Sequence, residues 1–189
     1  MMIEFKNVSK AFGEKEVLWD FSLAINGGER ICIMGPSGCG KTTIGNLLLG
    51  NVLPDSGEIV CPKDSISAVF QEDRLCEDFS ALSNLRMVLP DKNRTLARDI
   101  LLRLINEEDI DKPVRTFSGG MKRRVAIGRA LCYPKPILLL DEPFSGLDSY
   151  TKQSVADVIN ELSVGKTLIL ISHDKKEAEM LGAKIIELK

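Results

Sequence analysis

The chain has 189 residues, of which 44% are hydrophobic and 28% are charged, so it can bury one substantial core but is too short for two ordinary domains. Its formal net charge of -2 and the lack of a basic block provide no electrostatic footprint for a phosphate backbone, so no nucleic-acid partner is expected. No stretch approaches the roughly 18 to 20 apolar residues that span a bilayer, so any membrane association is expected to occur through a partner.

Short strands and helices alternate along the whole chain. The predicted strands are residues 3–8, 17–25, 29–34, 58–60, 65–70, 137–140, 167–172 and 184–188. The predicted helices are residues 42–49, 80–89, 95–105, 122–131, a segment around 155–162, and 175–181. This alternation predicts an α/β fold with a mainly parallel sheet, and residues from about 72 to 117 are interpreted as an inserted helical lobe.

A glycine-rich loop connects the third predicted strand to the first predicted helix. It matches G-x-x-x-x-G-K-[ST] and comprises Gly35, Pro36, Ser37, Gly38, Cys39, Gly40, Lys41 and Thr42. The glycines allow consecutive backbone N–H groups to turn inward around phosphates at a helix N-terminus. We expect Lys41 to reach the β- and γ-phosphates, Thr42 to ligate Mg²⁺, and the neighbouring Thr43 to lie among the nucleotide contacts. An unrelated glycine-rich turn would not require this position between a strand and a helix.

An all-apolar strand delivers two carboxylates to its C-terminal end. Residues 137–140 are Ile-Leu-Leu-Leu, a pattern typical of a central parallel strand that is covered on both faces. Asp141 follows, where a carboxylate can hold the Mg²⁺ shell, and Glu142 is then positioned to polarise an attacking water. Alone, this pattern would equally suit a core strand that meets a solvated turn, but the upstream phosphate loop favours the catalytic interpretation.

A second candidate anion site lies in front of the fourth predicted helix. Ser118, Gly119 and Gly120 precede a helix that opens with basic residues, so the Ser118 hydroxyl and the glycine N–H groups could form another anion-binding helix start. An ordinary N-cap followed by a glycine turn is the alternative. Because one phosphate loop is sufficient for one nucleotide, a second such element predicts either another nucleotide or the nucleotide of another subunit.

Taken in order, these motifs resemble those of the ABC ATPases. The shared order is the phosphate loop, Gln71 after a strand, Ser118-Gly119-Gly120, Asp141-Glu142, Ser145-Gly146-Leu147-Asp148 and His173. The resemblance covers nearly the whole chain. It implies a P-loop NTPase core with a mainly parallel sheet, an N-terminal antiparallel β subdomain, and a helical subdomain inserted from about 72 to 117 or 130. Residues 1–189 would then form a single ABC ATPase domain.

The resemblance also implies an arrangement of two cassettes. In ABC ATPases, two cassettes dimerise head to tail, and each ATP lies between the phosphate loop of one subunit and the signature motif of the other. Ser118, Gly119, Gly120 and Met121 would therefore contact the ATP of a second cassette, with a homodimer as the expected form. Asp148 would lie in the loop that joins the two sites.

The same resemblance implies chemical roles for individual residues. Glu142 would be the general base, and His173 would contact the γ-phosphate and the transition state. Gln71 would link Mg²⁺ and the water to the transmembrane partner. The implied cofactors are ATP and Mg²⁺, and the implied metal contacts are Thr42, Gln71 and Asp141.

Two positions depart from the common family pattern. Phe12 lies where the family places an aromatic ring, usually tyrosine, against adenine, and Met121 stands where the signature motif often has glutamine. A phenylalanine ring can still stack on a planar base, and Ser-Gly-Gly-Met resembles the sequence of importer cassettes. Neither departure is expected to abolish hydrolysis.

The implied function is ATP hydrolysis that powers solute transport, with transmembrane permease subunits as partners. The chain would then be cytoplasmic, peripheral on the inner face of the membrane. The run Gln-Glu-Asp-Arg-Leu at 71–75 is similar to nitrate, sulfonate and taurine-type importers, for which an extracytoplasmic substrate-binding protein is a further partner. Two alternatives stay open: a non-transport ABC ATPase of the lipoprotein-release or cell-division type, and a nucleotide-dependent interaction module without hydrolysis. The presence of both Glu142 and His173 argues against the second.

Overall fold

A computed structural model of the chain describes residues 2–62 and 64–188. The strands are β1 (Met2–Phe12), β2 (Lys15–Asn26), β3 (Arg30–Met34), β4 (Ser56–Val60), β5 (Ile66–Val69), β6 (Ile137–Asp141), β7 (Thr167–Ile171) and β8 (Lys184–Glu187). The helices are α1 (Lys41–Leu48), α2 (Ala81–Arg86), α3 (Arg94–Leu102), α4 (Gly119–Cys132), α5 (Ser149–Leu162) and α6 (Lys175–Met180), with short 3-10 turns at Glu107–Asp109 and Val114–Thr116. Every predicted strand and helix is present, with ends that differ by a few residues.

The N-terminal strands form a three-stranded antiparallel sheet in the order β2-β1-β4. Ile3 and Phe5 are buried on one face of β1, as the two-residue period of a strand requires. The next buried residue is Val8, because the pairing register of β1 with β2 shifts between Phe5 and Val8. Such an irregularity moves the alternation by one residue and bends the strand. Phe5 also packs edge-on against Phe21, with ring centroids 5.4 Å apart.

The second sheet has five strands in the order β5-β6-β7-β3-β8. The pairs β3 with β7, β3 with β8, and β6 with β7 are all parallel. Leucines 138 to 140 of β6 and residues 168 to 170 of β7 are at most 2% exposed, which is typical of strands covered on both faces. The predicted mainly parallel α/β sheet is therefore confirmed.

Helix α1 packs directly against this sheet. Ile44, Leu47 and Leu48, whose i, i+3, i+4 spacing is typical of a helix, are all buried. Gly45 lies so close to the sheet that a Cβ at this position would be 3.3 Å from Ile171 Cδ1. The small glycine thus allows α1 to pack closely on β6 and β7, which contain Leu139 and Ile171.

The chain divides into two compact units. One contains the described residues up to Ile66 together with Lys135–Asp141 and those from Gly165 onward, and the other contains Ser67–Pro134 and Glu142–Val164. The second unit holds helices α2 to α5, so it includes the predicted helical lobe and extends beyond it. That residues 1–189 act as a single ABC ATPase domain, with a helical subdomain inserted from about 72 to 117 or 130, stays a prediction.

The leucines of helix α3 do not all lie on its buried face. The four-residue spacing of Leu96, Ile100 and Leu104 predicts one buried stripe, but Leu96 is 43% exposed and Leu104 lies beyond the helix end. The buried face of α3 consists of Ala97, Ile100 and Leu101. The helix is capped by Asn93, whose side chain accepts the Leu96 N–H, and this cap places Leu96 in the exposed first turn.

Within residues 2–62 and 64–188, no helix combines the length and the apolar character needed to cross a lipid bilayer.

Candidate nucleotide-binding site

The glycine-rich loop runs from the end of β3 into α1, as its sequence predicts. Gly40 is the N-cap residue of α1 with φ of 101°, a conformation that disfavours a side chain. A Cβ there would also lie 3.0 Å from the Val17 carbonyl oxygen. At the start of the loop, a Cβ on Gly35 would lie 2.6 Å from Cys39 Sγ, so the turn is too narrow for any larger residue. The loop therefore requires glycine for both backbone conformation and space.

The Lys41 ammonium group folds back over this loop. Its Nζ donates to the carbonyl oxygens of Gly35 at 2.7 Å and Pro36 at 2.8 Å, and it lies 3.9 Å from Cys39 Sγ. The first N–H groups of α1, from Lys41 through Thr43, have no partners within the helix and point to the same end. Together with the helix dipole they provide a concentrated positive potential suited to phosphate oxygens.

The sheet register brings three candidate groups to one edge. Asp141 at the end of β6 lies opposite Ile171 at the end of β7, and Ile171 lies opposite Ile33 of β3. The phosphate loop begins two residues after Ile33, and His173 comes two residues after Ile171. Because the carboxyl ends of parallel strands meet at the same edge, the loop, Asp141 and the His173 segment converge there.

The segment that carries His173 is held by buried hydrogen bonds. The Ser172 hydroxyl donates to the Glu177 carboxylate at 2.5 Å and accepts the Asp174 N–H at 3.1 Å. Ser172 is fully buried and Glu177 is 3% exposed, whereas His173 between β7 and α6 is exposed. The His173 residue is thus exposed on a turn whose backbone is held by the buried hydrogen bonds of Ser172.

Phe12, the candidate adenine contact, lies at the end of β1 and is 51% exposed. The Lys10 ammonium lies 5.5 Å from the centre of its ring and forms an ion pair with Asp55 at 2.6 Å. Asp55 also accepts the Ala11 N–H at 2.7 Å. These hydrogen bonds, with that from the Lys10 ammonium first, lower the pKa of the Asp55 carboxyl. One carboxylate therefore anchors both the backbone beside Phe12 and the cation near its ring.

In the second unit, the signature segment forms the start of α4. The Ser118 hydroxyl caps this helix by accepting the Met121 N–H, so α4 begins at Gly119, three residues before the predicted start. The N-cap that was the alternative interpretation of Ser118 is thus present, and an anion contact of this segment stays a prediction. A Cβ on Gly120 would lie 3.2 Å from Leu147 Cδ2, so the signature segment packs against the loop that leads to Asp148.

Asp148 itself caps helix α5. Its carboxylate accepts the Thr151 N–H at 3.0 Å and the Thr151 hydroxyl at 2.6 Å. Both hydrogen bonds lower the pKa of the Asp148 carboxyl, and the one from the Thr151 hydroxyl has the larger effect. Asp148, which is expected in the loop that joins the two sites, is therefore also the N-cap of α5. The sequence pattern did not reveal this capping role.

Glu142 has an unusual backbone conformation. Its φ of 47° lies in the left-handed region, where a residue with a long side chain is strained. The Glu142 carbonyl accepts the Ser145 N–H at 3.2 Å, and the fully buried Phe144 anchors this turn. Strained residues of this kind cluster at functional sites, where the surrounding structure enforces them.

Gln71, two residues after the end of β5, is held through its backbone rather than its exposed side chain. The Arg123 guanidinium on α4 donates to the carbonyl oxygens of Phe70 at 2.6 Å and Gln71 at 2.5 Å. Arg129, one and a half turns further along α4, donates to the carbonyls of Asp73 and Arg74. The sequence interpretation missed both arginines, because nothing in their spacing indicates that they bind backbone some 50 residues away.

The donor set at the sheet edge suits magnesium. Asp141 and Thr42 supply oxygen atoms, which Mg²⁺ prefers, and Mg²⁺ usually combines one or two protein carboxylates with substrate phosphates and water. Within the described part of the chain, no group of three or more His, Cys, Asp or Glu side chains could hold a metal ion by itself. The oxygen atoms of Asp141 and Thr42 thus fit a Mg²⁺ ion that also binds phosphate oxygens.

A comparison with protein families identifies the chain. The family model described as ABC transporter matches residues 18–145. The chain belongs to the ABC transporter family. The resemblance stated from the motif order is thus confirmed, and the cassette is an ATP-binding, ATP-hydrolysing domain of an ABC transporter. The alternative of an interaction module without hydrolysis is correspondingly not favoured.

Curated relatives of the cassette carry the names of import or transport proteins. The aliphatic sulfonates import ATP-binding protein SsuB 3 of Rhodococcus jostii is 36% identical over 194 residues, which cover 100% of this chain and 71% of that protein. The taurine import ATP-binding protein TauB of Roseobacter denitrificans is 36% identical over 188 residues, covering 90% of this chain and 69% of that protein. The ergothioneine transport ATP-binding protein EgtV of Helicobacter pylori is 30% identical and covers 100% and 97% of the two chains.

Solved structures confirm the predicted fold class. The ATP-binding cassette MJ0796, solved as a dimer in a post-hydrolysis state with ADP and Pi, has a TM-score of 0.88 and 30% sequence identity, covering 99% of this chain and 94% of that chain. A bacterial Atm1-family ABC exporter with ATP bound has a TM-score of 0.88 at 25% identity, with 100% of this chain and 37% of that chain covered. The cassette therefore has the α/β P-loop fold of ABC ATPases.

Proposed function

We propose that the cassette is the energy-supplying subunit of an ABC importer and that it works as a head-to-tail homodimer. The convergence of the phosphate loop, Asp141 and the His173 segment at one sheet edge is the observation that carries this proposal. The N-capped start of α4 supplies a second group of free helix N–H groups, which one nucleotide in one subunit does not need. A nucleotide held by a second copy of the chain would make use of it.

Each ATP would then be held by two subunits. The phosphate loop, Gly35–Thr42, together with Thr43 would bind the triphosphate of one subunit's nucleotide, and Phe12 would stack on its adenine. Ser118–Met121 of the second copy would close over the same triphosphate, and Asp148 would lie between the two sites. Closure of the dimer would exclude water and strengthen every electrostatic contact to the phosphates.

The hydrolysis step requires positioning and charge stabilisation more than covalent chemistry. Thr42, Asp141 and Gln71 would hold Mg²⁺, which would supply positive charge to neutralise the triphosphate. Glu142 would orient the attacking water and accept its proton. His173 would donate to the γ-phosphate as negative charge redistributes in the transition state. Lys41 would leave the carbonyls of Gly35 and Pro36 for the phosphate oxygens.

The partners follow from the import names of the relatives. We place the cassette on the cytoplasmic face of the membrane, bound to transmembrane permease subunits, with an extracytoplasmic substrate-binding protein as a further component. Relatives named for sulfonate, taurine and ergothioneine transport match over most of this chain. The similarity therefore supports import as a class, while the choice of solute would reside in the permease and the binding protein.

The test separates dimer closure from chemistry. Mg²⁺-dependent ATP hydrolysis is measured for the wild type and Glu142→Gln, and light scattering follows the ATP-induced change in mass. Glu142→Gln should lose about a hundredfold or more in rate, as expected for a general base, and should accumulate as an ATP-bound dimer. Glu161→Gln, which alters an exposed carboxylate of the same unit, should hydrolyse ATP like the wild type. A Glu142→Gln variant that hydrolyses ATP normally, or that never dimerises with ATP, contradicts the proposal.

A further inference from the structure

The segment after β5 obtains its backbone hydrogen bonds from one helix. Two arginines of α4 contact four carbonyl oxygens within residues 70–74: Arg123 contacts Phe70 and Gln71, at 2.6 and 2.5 Å, and Arg129 contacts Asp73 and Arg74, at 3.2 and 2.9 Å. We call these two arginines and the carbonyls of 70–74 the arginine clamp. Residues 71–74 belong to no strand or helix, so these donors replace a regular hydrogen-bond ladder.

Arg123 is the deeper member of the clamp. The residue is 5% exposed, and its Nη1 lies 3.2 Å from Asp73 Oδ1. That buried oxygen accepts no hydrogen bond from any described residue, so the contact is an ion pair of poor hydrogen-bonding geometry. Burial raises the pKa of the Asp73 carboxyl, against the opposing attraction of Arg123 first and of Lys122 next. The Arg123 guanidinium thus forms its well-aligned hydrogen bonds with backbone oxygens and not with the nearby Asp73 carboxylate.

The geometry of Arg123 determines where Gln71 is held. A planar guanidinium with two forked N–H groups can contact two successive carbonyls only when both are held in its plane. Phe70 is further fixed by the Arg74 guanidinium, which lies 3.9 Å from the centre of its ring. The Gln71 side chain is exposed. The hydrogen bond to the Gln71 carbonyl therefore sets where this side chain leaves the backbone and in which direction it points.

Arg123 also lies on the helix that the signature segment begins. The N-cap of α4 is Ser118, and Arg123 follows it by a turn and a half. A shift of the helix start toward a nucleotide would therefore move the Gln71 carbonyl with it. Both ends of this connection lie within the same compact unit.

We propose that Arg123 is a positioning residue for ATP hydrolysis: it fixes Gln71 to the signature helix, so that engagement of the signature segment sets the position of the Gln71 side chain. This rests on the proposed contact of Gln71 with the metal and the attacking water. In this role Arg123 would act through Gln71 and not through a contact of its own with the nucleotide. Its loss is expected to reduce turnover with little change in ATP affinity, since the phosphate loop lies elsewhere in the chain.

The variants are chosen to keep the fold. Arg123→Lys keeps the positive charge near Asp73, but an ammonium group cannot reproduce the forked contact with two carbonyls. Arg123→Gln removes the charge as well. Arg103→Gln is the matched control, because Arg103 is an arginine of the same unit that pairs with Glu161 at the surface and does not contact residues 70–74. Each variant is also combined with Gln71→Ala.

Two measurements decide the question: kcat and KM for Mg²⁺-ATP, and the rate at which trypsin cleaves after the exposed Arg74. Arg123→Lys should lower kcat by roughly tenfold, the size expected for weakened charge-assisted hydrogen bonds, with KM for ATP within about twofold of the wild type. Arg123→Gln should lose more, and Arg103→Gln should lose nothing. In the Gln71→Ala background, Arg123→Lys should have no further effect on kcat. Trypsin cleavage after Arg74 should be faster in both Arg123 variants, because the segment loses the contacts of Arg123, and unchanged in Arg103→Gln.

The outcomes separate this proposal from the proposed function. If Gln71→Ala lowers kcat and Arg123→Lys lowers it by the same factor in both backgrounds, the positioning role of Arg123 is wrong while the role of Gln71 stands. Unchanged trypsin cleavage after Arg74 in Arg123→Gln would overturn the clamp as well. If Gln71→Ala leaves kcat unchanged, the proposed contact of Gln71 fails and the positioning role fails with it.

Discussion

The Ser172 hydroxyl donates a 2.5 Å hydrogen bond to the carboxylate of Glu177, five residues further along the chain and buried with it. Between them lie His173 and the first residues of α6, whose Asp174 caps the helix through the Lys176 N–H. The pair therefore ties the end of β7 to the first turn of α6 across the turn that carries the imidazole. A buried carboxylate is a costly way to close a turn unless its hydrogen bonds are kept.

Removing the Ser172 hydroxyl should destabilise the cassette. Ser172→Ala takes a donor from a buried carboxylate, and we expect a loss of about 1–3 kcal/mol in the free energy of unfolding, measured by urea titration. Glu177→Gln, which retains an oxygen acceptor for the hydroxyl, should lose less than Glu177→Ala. Lys175→Ala, which removes an exposed ion pair with Glu187, serves as the control and should change little. Equal stabilities of Ser172→Ala and the wild type would contradict the buried pair as a stabilising element.

The half-exposed ring of Phe12 should contribute to nucleotide affinity. Replacing it with leucine removes a planar π-face and should raise the Kd for ATP by roughly three- to tenfold, whereas Phe12→Tyr should bind ATP like the wild type. Phe79 is 53% exposed, close to the 51% of Phe12, so Phe79→Leu controls for the loss of an exposed aromatic ring. Isothermal titration calorimetry with ATP in the absence of Mg²⁺ measures binding without turnover. A Phe12→Leu variant with unaltered Kd would remove Phe12 from the site.

The backbone of Gly40 should tolerate no side chain. Gly40→Ala forces alanine into φ of 101° and places its Cβ 3.0 Å from the Val17 carbonyl oxygen, so we expect a loss of roughly 1–3 kcal/mol in stability. It should also weaken ATP binding at least about tenfold, since the first N–H groups of α1 would be displaced.

Gly50→Ala provides the matched control for this substitution. Gly50 also has positive φ, of 70°, but no atom lies within 4 Å of its added Cβ, and it follows the other end of α1. This variant should lose some stability, about 1 kcal/mol, and keep its ATP affinity. If both alanine variants bound ATP equally, the shape of the loop at Gly40 would not matter for phosphate binding.

The cap of α5 predicts a pH dependence. The pKa of Asp148 is lowered by the Thr151 hydroxyl and N–H, so its contribution to stability is fully present above the ordinary Asp pKa of about 3.9. It is lost as the pH falls through the lowered value of the folded chain. Asn also caps helices but does not titrate, so the stability difference between wild type and Asp148→Asn should shrink on acidification. Urea midpoints from neutral pH downward measure this difference, and one that stays constant with pH would refute the assignment.

The candidate site could be predicted from the sequence where a local backbone pattern determines it. The phosphate loop needs glycines between a strand and a helix, and Asp141 follows an all-apolar strand, so short-range pattern suffices for both. Leu96 shows the limit of such patterns, because its spacing suits a buried stripe while the Asn93 cap places it in the exposed first turn.

The sequence by itself determined the order of strands and helices and the phosphate loop, because each depends on residues within one or two turns of each other. It also determined the family, because the order of such local motifs along the chain identifies it. Only the tertiary structure decided which distant groups meet. Strand register placed Asp141 opposite Ile171, and the arginine clamp joined Arg123 to the Gln71 carbonyl. A carbonyl group is the same at every residue, so no side-chain pattern marks which one an arginine some 50 residues away will bind. The pairing is decided only when α4 packs beside residues 70–74, where a part-buried backbone oxygen without a partner in a strand or helix needs a hydrogen-bond donor.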